Sequence, residues 1–248
     1  MGKKTGRGQG GVVNISGGTV NTGGGDIFGG DKMQASMQSD GDLRRGQQNI
    51  GKIRILFVSA NPVGTTQLKL DEEVREIEAK IRAAEHRDSL ELITKWAARS
   101  DDLLQSLNQH KPHIVHFSGH GSSTEEIILL DKLGKSKPVS KEALVSLFRT
   151  LKDNIRVVLL NACFSRPQAE AITGEIDCAI GMMRAIGDAA AIIFAASFLA
   201  IGFGRSVKDA FDQGKTALLL EGIPEEQTPA LMTRQNIASE SIVLINPQ

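Results

Sequence analysis

Beyond Gly51 the chain alternates short apolar runs with amphipathic segments, and that alternation restricts its fold more than any other feature. Ile53-Arg-Ile-Leu-Phe-Val-Ser reads as a buried strand, stopped by Asn61-Pro62-Val63-Gly64. Leu70 to Ala84 carries Leu70, Val74, Ile77 and Ile81 at helical spacing, with Glu, Arg and Lys on the other side. Ser89 to Trp96 reads as a shorter strand, and Ser100-Asp101-Asp102 as the cap of a helix through Leu103, Leu104 and Leu107. Pro112 ends that helix and a strand through His116 follows. Glu126 to Asp131 is a further strand, Ser140 opens a helix, and another apolar run ends at Cys163. Asp177 to Met182 (strand), Asp188 to Ile201 and Ser206 to Leu220 (helices) and Ser241 to Ile245 (strand) complete the series. Strands and helices in series require a mostly parallel sheet covered by helices on both faces, so the expected class is α/β. Local pattern does not encode the order of the strands.

Two of these strands carry chemistry. Ile114-Val-His-Phe-Ser-Gly-His120-Gly121 and Val157-Val-Leu-Leu-Asn-Ala-Cys163-Phe-Ser165 each stop abruptly at small residues and present one reactive side chain at the stop. The carboxyl ends of neighbouring parallel strands lie side by side, so distant residues meet there. A cysteine that meets a histidine gains an acid/base partner and becomes a nucleophile. Side chains alternate along a strand, so His116 and Ser118 point one way, Val115 and Phe117 the other. His120 lies beyond the strand, where Gly119 and Gly121 permit a sharp turn into a cleft. A duller reading makes it a loop histidine satisfied by backbone.

Cys163 admits an inert, buried reading too. Its position argues for reactivity: an apolar run ends at Asn161-Ala162, a small residue leaves room for substrate, and a helix is expected to start near Pro167. Cys178 lies inside a strand-like run and reads as core. His113, His116 and His120 are closely spaced, but His113 and His116 are expected on opposite strand faces, and no second ligand pair accompanies them. No metal is therefore expected. His86 and His110 read as solvated helix-surface residues.

Charge and composition exclude other classes. With 29 basic and 29 acidic residues the formal net charge is zero, which does not suit a nucleic-acid partner. The most apolar stretch, Ala189 to Ile201, is too short to span a bilayer and reads as a buried helix. Two cysteines make no disulfide framework and no secretory h-region is visible, so a cytoplasmic, reduced-thiol protein is expected. Gly6-Arg-Gly8-Gln-Gly-Gly11 matches a dinucleotide pattern without a preceding strand, and Gly214-Lys215-Thr216 lacks the leading glycine of a phosphate loop.

Composition divides the chain near residue 50. More than half of the 26 glycines precede Gly51, so residues 1–50 form a Gly-rich leader and linker, and 51–248 the folded domain. Val13-Asn-Ile-Ser-Gly-Gly, Thr19-Val-Asn-Thr-Gly-Gly and Asp26-Ile-Phe-Gly-Gly repeat one theme. A flexible leader and a self-assembly or partner-docking segment both fit it.

The motifs Ser-Gly-His120-Gly121 and Asn-Ala-Cys163-Phe-Ser, in this order, resemble those of the caspase-like cysteine peptidases, specifically the CHAT branch. The likeness runs from about Lys52 to Phe211. It implies a caspase-like α/β/α sandwich with a mostly parallel central sheet, and peptide-bond cleavage without metal or cofactor. By position, it implies His120 as acid/base, Cys163 as nucleophile, and the backbone N–H groups of Gly121 and Cys163 as oxyanion hole. An arginine-rich pocket for aspartate, as in caspases proper, is not found. Asp188 either lines the primary pocket, favouring a basic side chain, or caps the helix beginning at Ala189, the reading preferred on sequence. The resemblance also implies a protein substrate, an effector role in bacterial defence or cell death, and activation through the leader or a separate partner. A catalytically silent scaffold of the same fold is the alternative.

Overall fold

The computed structural model describes residues 51–245, and the readings made for residues 1–50 lie outside the described residues. In chain order the elements are β1 (Ile53–Ala60), α1 (Leu70–Ala83), β2 (Leu90–Lys95), α2 (Ser100–His110), β3 (Ile114–Gly119), β4 (Ile127–Leu130) and β5 (Ser136–Val139). Then come α3 (Lys141–Leu151), β6 (Val157–Asn161), α4 (Arg166–Ile172), β7 (Cys178–Met182), α5 (Asp188–Phe198), α6 (Val207–Leu220) and β8 (Pro229–Thr233). One sheet has the order β2-β1-β3-β6-β7-β8, and all neighbours in it are parallel except β8, which is antiparallel to β7. β4 and β5 form a separate antiparallel hairpin.

The period-two alternation of the strands sorts their side chains onto two faces. Ile55, Phe57, Ile114, Val157, Leu159 and Ile180 pack with Val74 and Ile77 of α1, Phe194 and Phe198 of α5, and Phe211 and Leu218 of α6. The intervening Leu56, Val58, Val115, Phe117, Val158 and Leu160 pack with Leu103 and Leu107 of α2, Leu144 and Phe148 of α3, and Ile172 of α4. Burial on both faces explains the uninterrupted hydrophobic runs. The result is the expected α/β/α sandwich with a mostly parallel sheet. The most apolar stretch of the chain is α5, packed between α1 and α6, and no described helix is long and apolar enough to cross a membrane.

Several boundaries differ from the sequence reading. Ser241 to Ile245 is not a strand: a 3₁₀ turn covers Ser239–Ser241, and Val243 makes a single bridge to Ser206. Its β-branched residues are used instead to bury Ile242 and Ile245 against the core. The last strand is β8, whose Pro-Ala-Leu-Met-Thr composition gives little β signal. Glu126 to Asp131 yields β4, which leaves the main sheet to pair with β5, a strand concealed by Pro138. Helix α5 ends at Phe198 and passes into a 3₁₀ turn, Leu199–Phe203. The cap of α2 is Arg99, whose N–H is accepted by Asp102 at 3.1 Å.

Candidate active site

His120 and Cys163 are brought to one crevice by strand pairing. β3 and β6 are direct neighbours with Ser118 opposite Asn161, and each reactive residue lies two positions further along its strand. The crevice opens at the carboxyl ends of β1, β3, β6 and β7, and its lining includes Leu68, Glu73, His120, Cys163, Asp188 and Ile192. Ligand sites of open α/β sheets fall at this end of the strands.

The glycines flanking His120 serve a purpose other than the expected one. Neither Gly119 nor Gly121 adopts positive φ, so a turn reserved for glycine is not what places them there. Space is. A Cβ on Gly121 would stand 1.9 Å from the Cys163 carbonyl oxygen and 3.2 Å from the Cys163 nitrogen. The loop after β3 therefore lies backbone to backbone against the cysteine. Bonds from the Ile128 N–H to the His120 carbonyl and from the Ser122 N–H to the Glu126 carbonyl flank Gly121. Among the described residues, no hydrogen bond engages the N–H of Gly121 or Cys163.

His120 is held by a group that sequence reading does not show. Its Nε2 lies 2.9 Å from the Thr66 carbonyl oxygen. A carbonyl only accepts, so Nε2 carries the proton and the neutral ring keeps its lone pair on Nδ1. Thr66 belongs to the loop after β1, which Asn61 braces by donating from Nδ2 to the Leu68 carbonyl at 3.3 Å. In its neutral form the ring thus has a fixed tautomer, and among the described residues no hydrogen bond engages Nδ1.

Cys163 sits on an elbow between β6 and α4. Phe164 next to it adopts φ +57°, an unfavourable left-handed conformation for a bulky residue, which turns the chain out of the strand direction. Ser165 holds the elbow from beneath. Its buried hydroxyl donates to the Leu160 carbonyl at 2.7 Å and accepts the Met182 N–H at 2.9 Å, joining β6 to β7. Gly181 of β7 lets that backbone pass, since a Cβ there would stand 2.6 Å from the Ser165 carbonyl oxygen. Replacing Ser165 with alanine strands two buried backbone groups, so we expect a loss of about 1–3 kcal/mol, read from the denaturant midpoint.

The remaining sequence candidates separate cleanly. Cys178 is buried in the core, and burial, with the Asp177 charge, pushes its thiol up to about 12. Cys163 is only half-buried. The three closely spaced histidines have separate environments: the His113 Nδ1 accepts the Arg54 N–H at 3.0 Å, His116 is buried against Glu73, and His120 faces the crevice. Burial, then Arg54 and Arg156, lowers the His113 pKa, keeping that ring neutral. Asp188 is the first residue of α5, and Gly187 occupies the cap position, where the Glu225 carboxylate accepts its N–H at 3.0 Å. The preferred reading of Asp188 as the cap is therefore corrected: Gly187 holds that position, and Asp188 lines the crevice.

Sequence reading missed Glu73, which it placed with the charged, outward face of α1. The residue is 2% exposed. The signal was present: Glu73 falls between Leu70 and Ile77 at helical intervals of three and four, on the apolar stripe itself.

An α/β/α sandwich around a mostly parallel central sheet is the caspase-like fold. The fold matches that of a secreted C11 cysteine protease from Bacteroides thetaiotaomicron, solved with an irreversible peptide inhibitor, at a TM-score of 0.50 and 11% identity. That match covers 73% of this chain and 66% of the solved one. The CHAT domain family model matches residues 31–201, and the chain belongs to that family. Similar proteins include a "Roc-COR-CHAT protease" from an unknown prokaryotic organism, 28% identical over 159 residues, and a "Probable protease" from Gillisia limnaea, 26% identical over 170 residues. The matches cover 61% and 65% of this chain but only 15% and 30% of those relatives.

Proposed function

We propose that this chain is a cysteine endopeptidase that cleaves protein substrates through a His120–Cys163 dyad. The carrying observation is the joint placement of the two residues in one crevice, with Gly121 packed on the Cys163 backbone. The relatives named as proteases support the same reading.

In the reaction, Nδ1 of His120 takes the Cys163 proton and the thiolate attacks the scissile carbonyl carbon. The resulting oxyanion is met by the N–H groups of Gly121 and Cys163, which the chain leaves unengaged among the described residues. Collapse expels the amine, which carries away the proton from the imidazolium and leaves a thioester. His120 then deprotonates a water, which attacks the thioester and releases the acid and the free thiol. The Thr66 carbonyl steadies the ring through both transfers, because Nε2 keeps its proton throughout.

Asp188 sets the preference for the residue before the cleaved bond. It lines the crevice beside Cys163, and among the described residues it has no ion-pair partner. A carboxylate in this position favours an arginine or lysine side chain. Asp188→Asn is expected to cut kcat/KM on basic peptides by about 10-fold or more, the scale of one charge-assisted bond, and to spare neutral ones. The CHAT resemblance adds the setting: an effector in bacterial defence or cell-death signalling, with residues 1–50 docking or clustering the enzyme.

A digest of a peptide library by wild type and by Cys163→Ala tests the proposal. Cuts made by the wild type alone, after Arg or Lys, support it. Identical digests from both proteins sink the peptidase reading.

A further inference from the structure

On the wall of the crevice stands a buried carboxylate that the mechanism does not use. Glu73 reaches from α1 to the middle of the sheet, where Oε2 accepts the Ser118 hydroxyl at 2.5 Å and Oε1 accepts Asn161 Nδ2–H at 2.8 Å. His116 Nε2 stands 3.0 Å from the same Oε1. All four residues are buried, with at most 3% of each exposed. Asn161 Nδ2 also reaches the Ala191 carbonyl of α5 at 3.3 Å.

Burying a carboxylate is costly, and an apolar side chain at this helix–sheet contact avoids that cost. Its neighbours Leu70, Val74 and Ile77 show that the stripe is otherwise built that way. The bonding pattern explains the exception. Ser118 and Asn161 are the directly opposed residues of β3 and β6, and His120 and Cys163 follow each by two positions. One carboxylate therefore grips both strands immediately before the reactive residues leave them. Charge-assisted bonds of this kind are short and directional, which suits them to fixing a spacing.

We propose that Glu73 is a positioning residue, holding the exits of β3 and β6 in the mutual register that the His120–Cys163 pair needs. The proposal rests on the dyad reading given above. It adds that the pair depends on a third, buried side chain from a different element.

The test compares wild type, Glu73→Gln, His120→Ala and the double variant, each as the full chain. Two readouts are taken: kcat and KM on a cleaved peptide, and the rate of Cys163 alkylation by iodoacetamide, which occupies no substrate pocket. Glu73→Gln is isosteric but offers one acceptor oxygen where the carboxylate offers two. We expect kcat to fall about 10²-fold, the scale of a small misplacement of reacting groups, with KM within about twofold. Alkylation slows as well, and the double variant is no slower than His120→Ala alone, since the two act as a unit. Additive slowing overturns the proposal by showing a role independent of His120. Unchanged kcat and alkylation overturn it too. A raised KM at unchanged kcat also does so, because Glu73 then contacts substrate. If Glu73→Gln does not fold, Ser118→Ala, which removes one donor only, takes its place with the same outcomes. Alkylation indifferent to His120→Ala condemns the dyad reading itself. Alkylation slowed by His120→Ala but not by Glu73→Gln condemns only the positioning role.

Discussion

Cys163→Ala and His120→Ala each lower peptide cleavage by at least about 10⁴-fold, and combining them lowers it little further. In the proposed mechanism neither residue does its step alone: the sulfur attacks only after losing its proton, and the ring has nothing to deprotonate without it. Stability is the control. Cys163 is half-buried in the crevice lining, and the His120 ring bonds to the Thr66 carbonyl. Truncating either removes little buried apolar surface, so the denaturant midpoint is expected to move by less than about 1 kcal/mol equivalent. Cleavage measured on one peptide, with unfolding measured alongside, separates lost chemistry from lost structure.

Gly121→Ala is the second large effect, and it acts without removing any functional atom. The new methyl carbon has no rotamer to escape through, and it meets the Cys163 carbonyl oxygen at 1.9 Å. The atom it meets is backbone, and the methyl carbon is fixed rigidly to backbone. Relief requires the loop after β3 to back away from the cysteine, which separates the two proposed oxyanion donors and displaces His120. We expect a fall of at least about 10²–10³-fold in kcat, the scale of one lost oxyanion donor. Gly174→Ala is the matched control, since a Cβ there meets only the Ala171 carbonyl at an ordinary 3.5 Å. It is expected to leave activity unchanged.

The parts of this molecule legible in sequence are those written into local periodicity. The runs through His116 and up to Asn161 are apolar because both faces of the sheet are covered, and they end where the chain reaches the crevice. That is enough to locate His120 and Cys163. The opposite orientations of His116 and Val115 follow from the same alternation, and each packs on the expected face. What stayed hidden depends on tertiary context. The adjacency of β3 and β6 is a property of the sheet, which no single strand encodes. The group holding His120 is a main-chain carbonyl, to which residue identity is indifferent. Glu73 is easily misread because a charge on an amphipathic helix ordinarily faces solvent, although its spacing puts it on the buried stripe. The region after α6 misled for the converse reason: β-branched residues near Ile242 serve core packing, while the edge strand is made from Ala, Leu and Met.

The claim on which everything else rests is that one imidazole governs one sulfur. Labelling with iodoacetamide at neutral pH, followed by mass mapping of the modified cysteine, reads it directly in wild type and His120→Ala. Burial, which pushes the Cys178 thiol up to about 12, keeps that residue silent, so the signal reports Cys163. The account predicts modification of Cys163 in the wild type, at least about 10-fold faster than in His120→Ala, since only a thiolate attacks. Equal rates in the two proteins would contradict it.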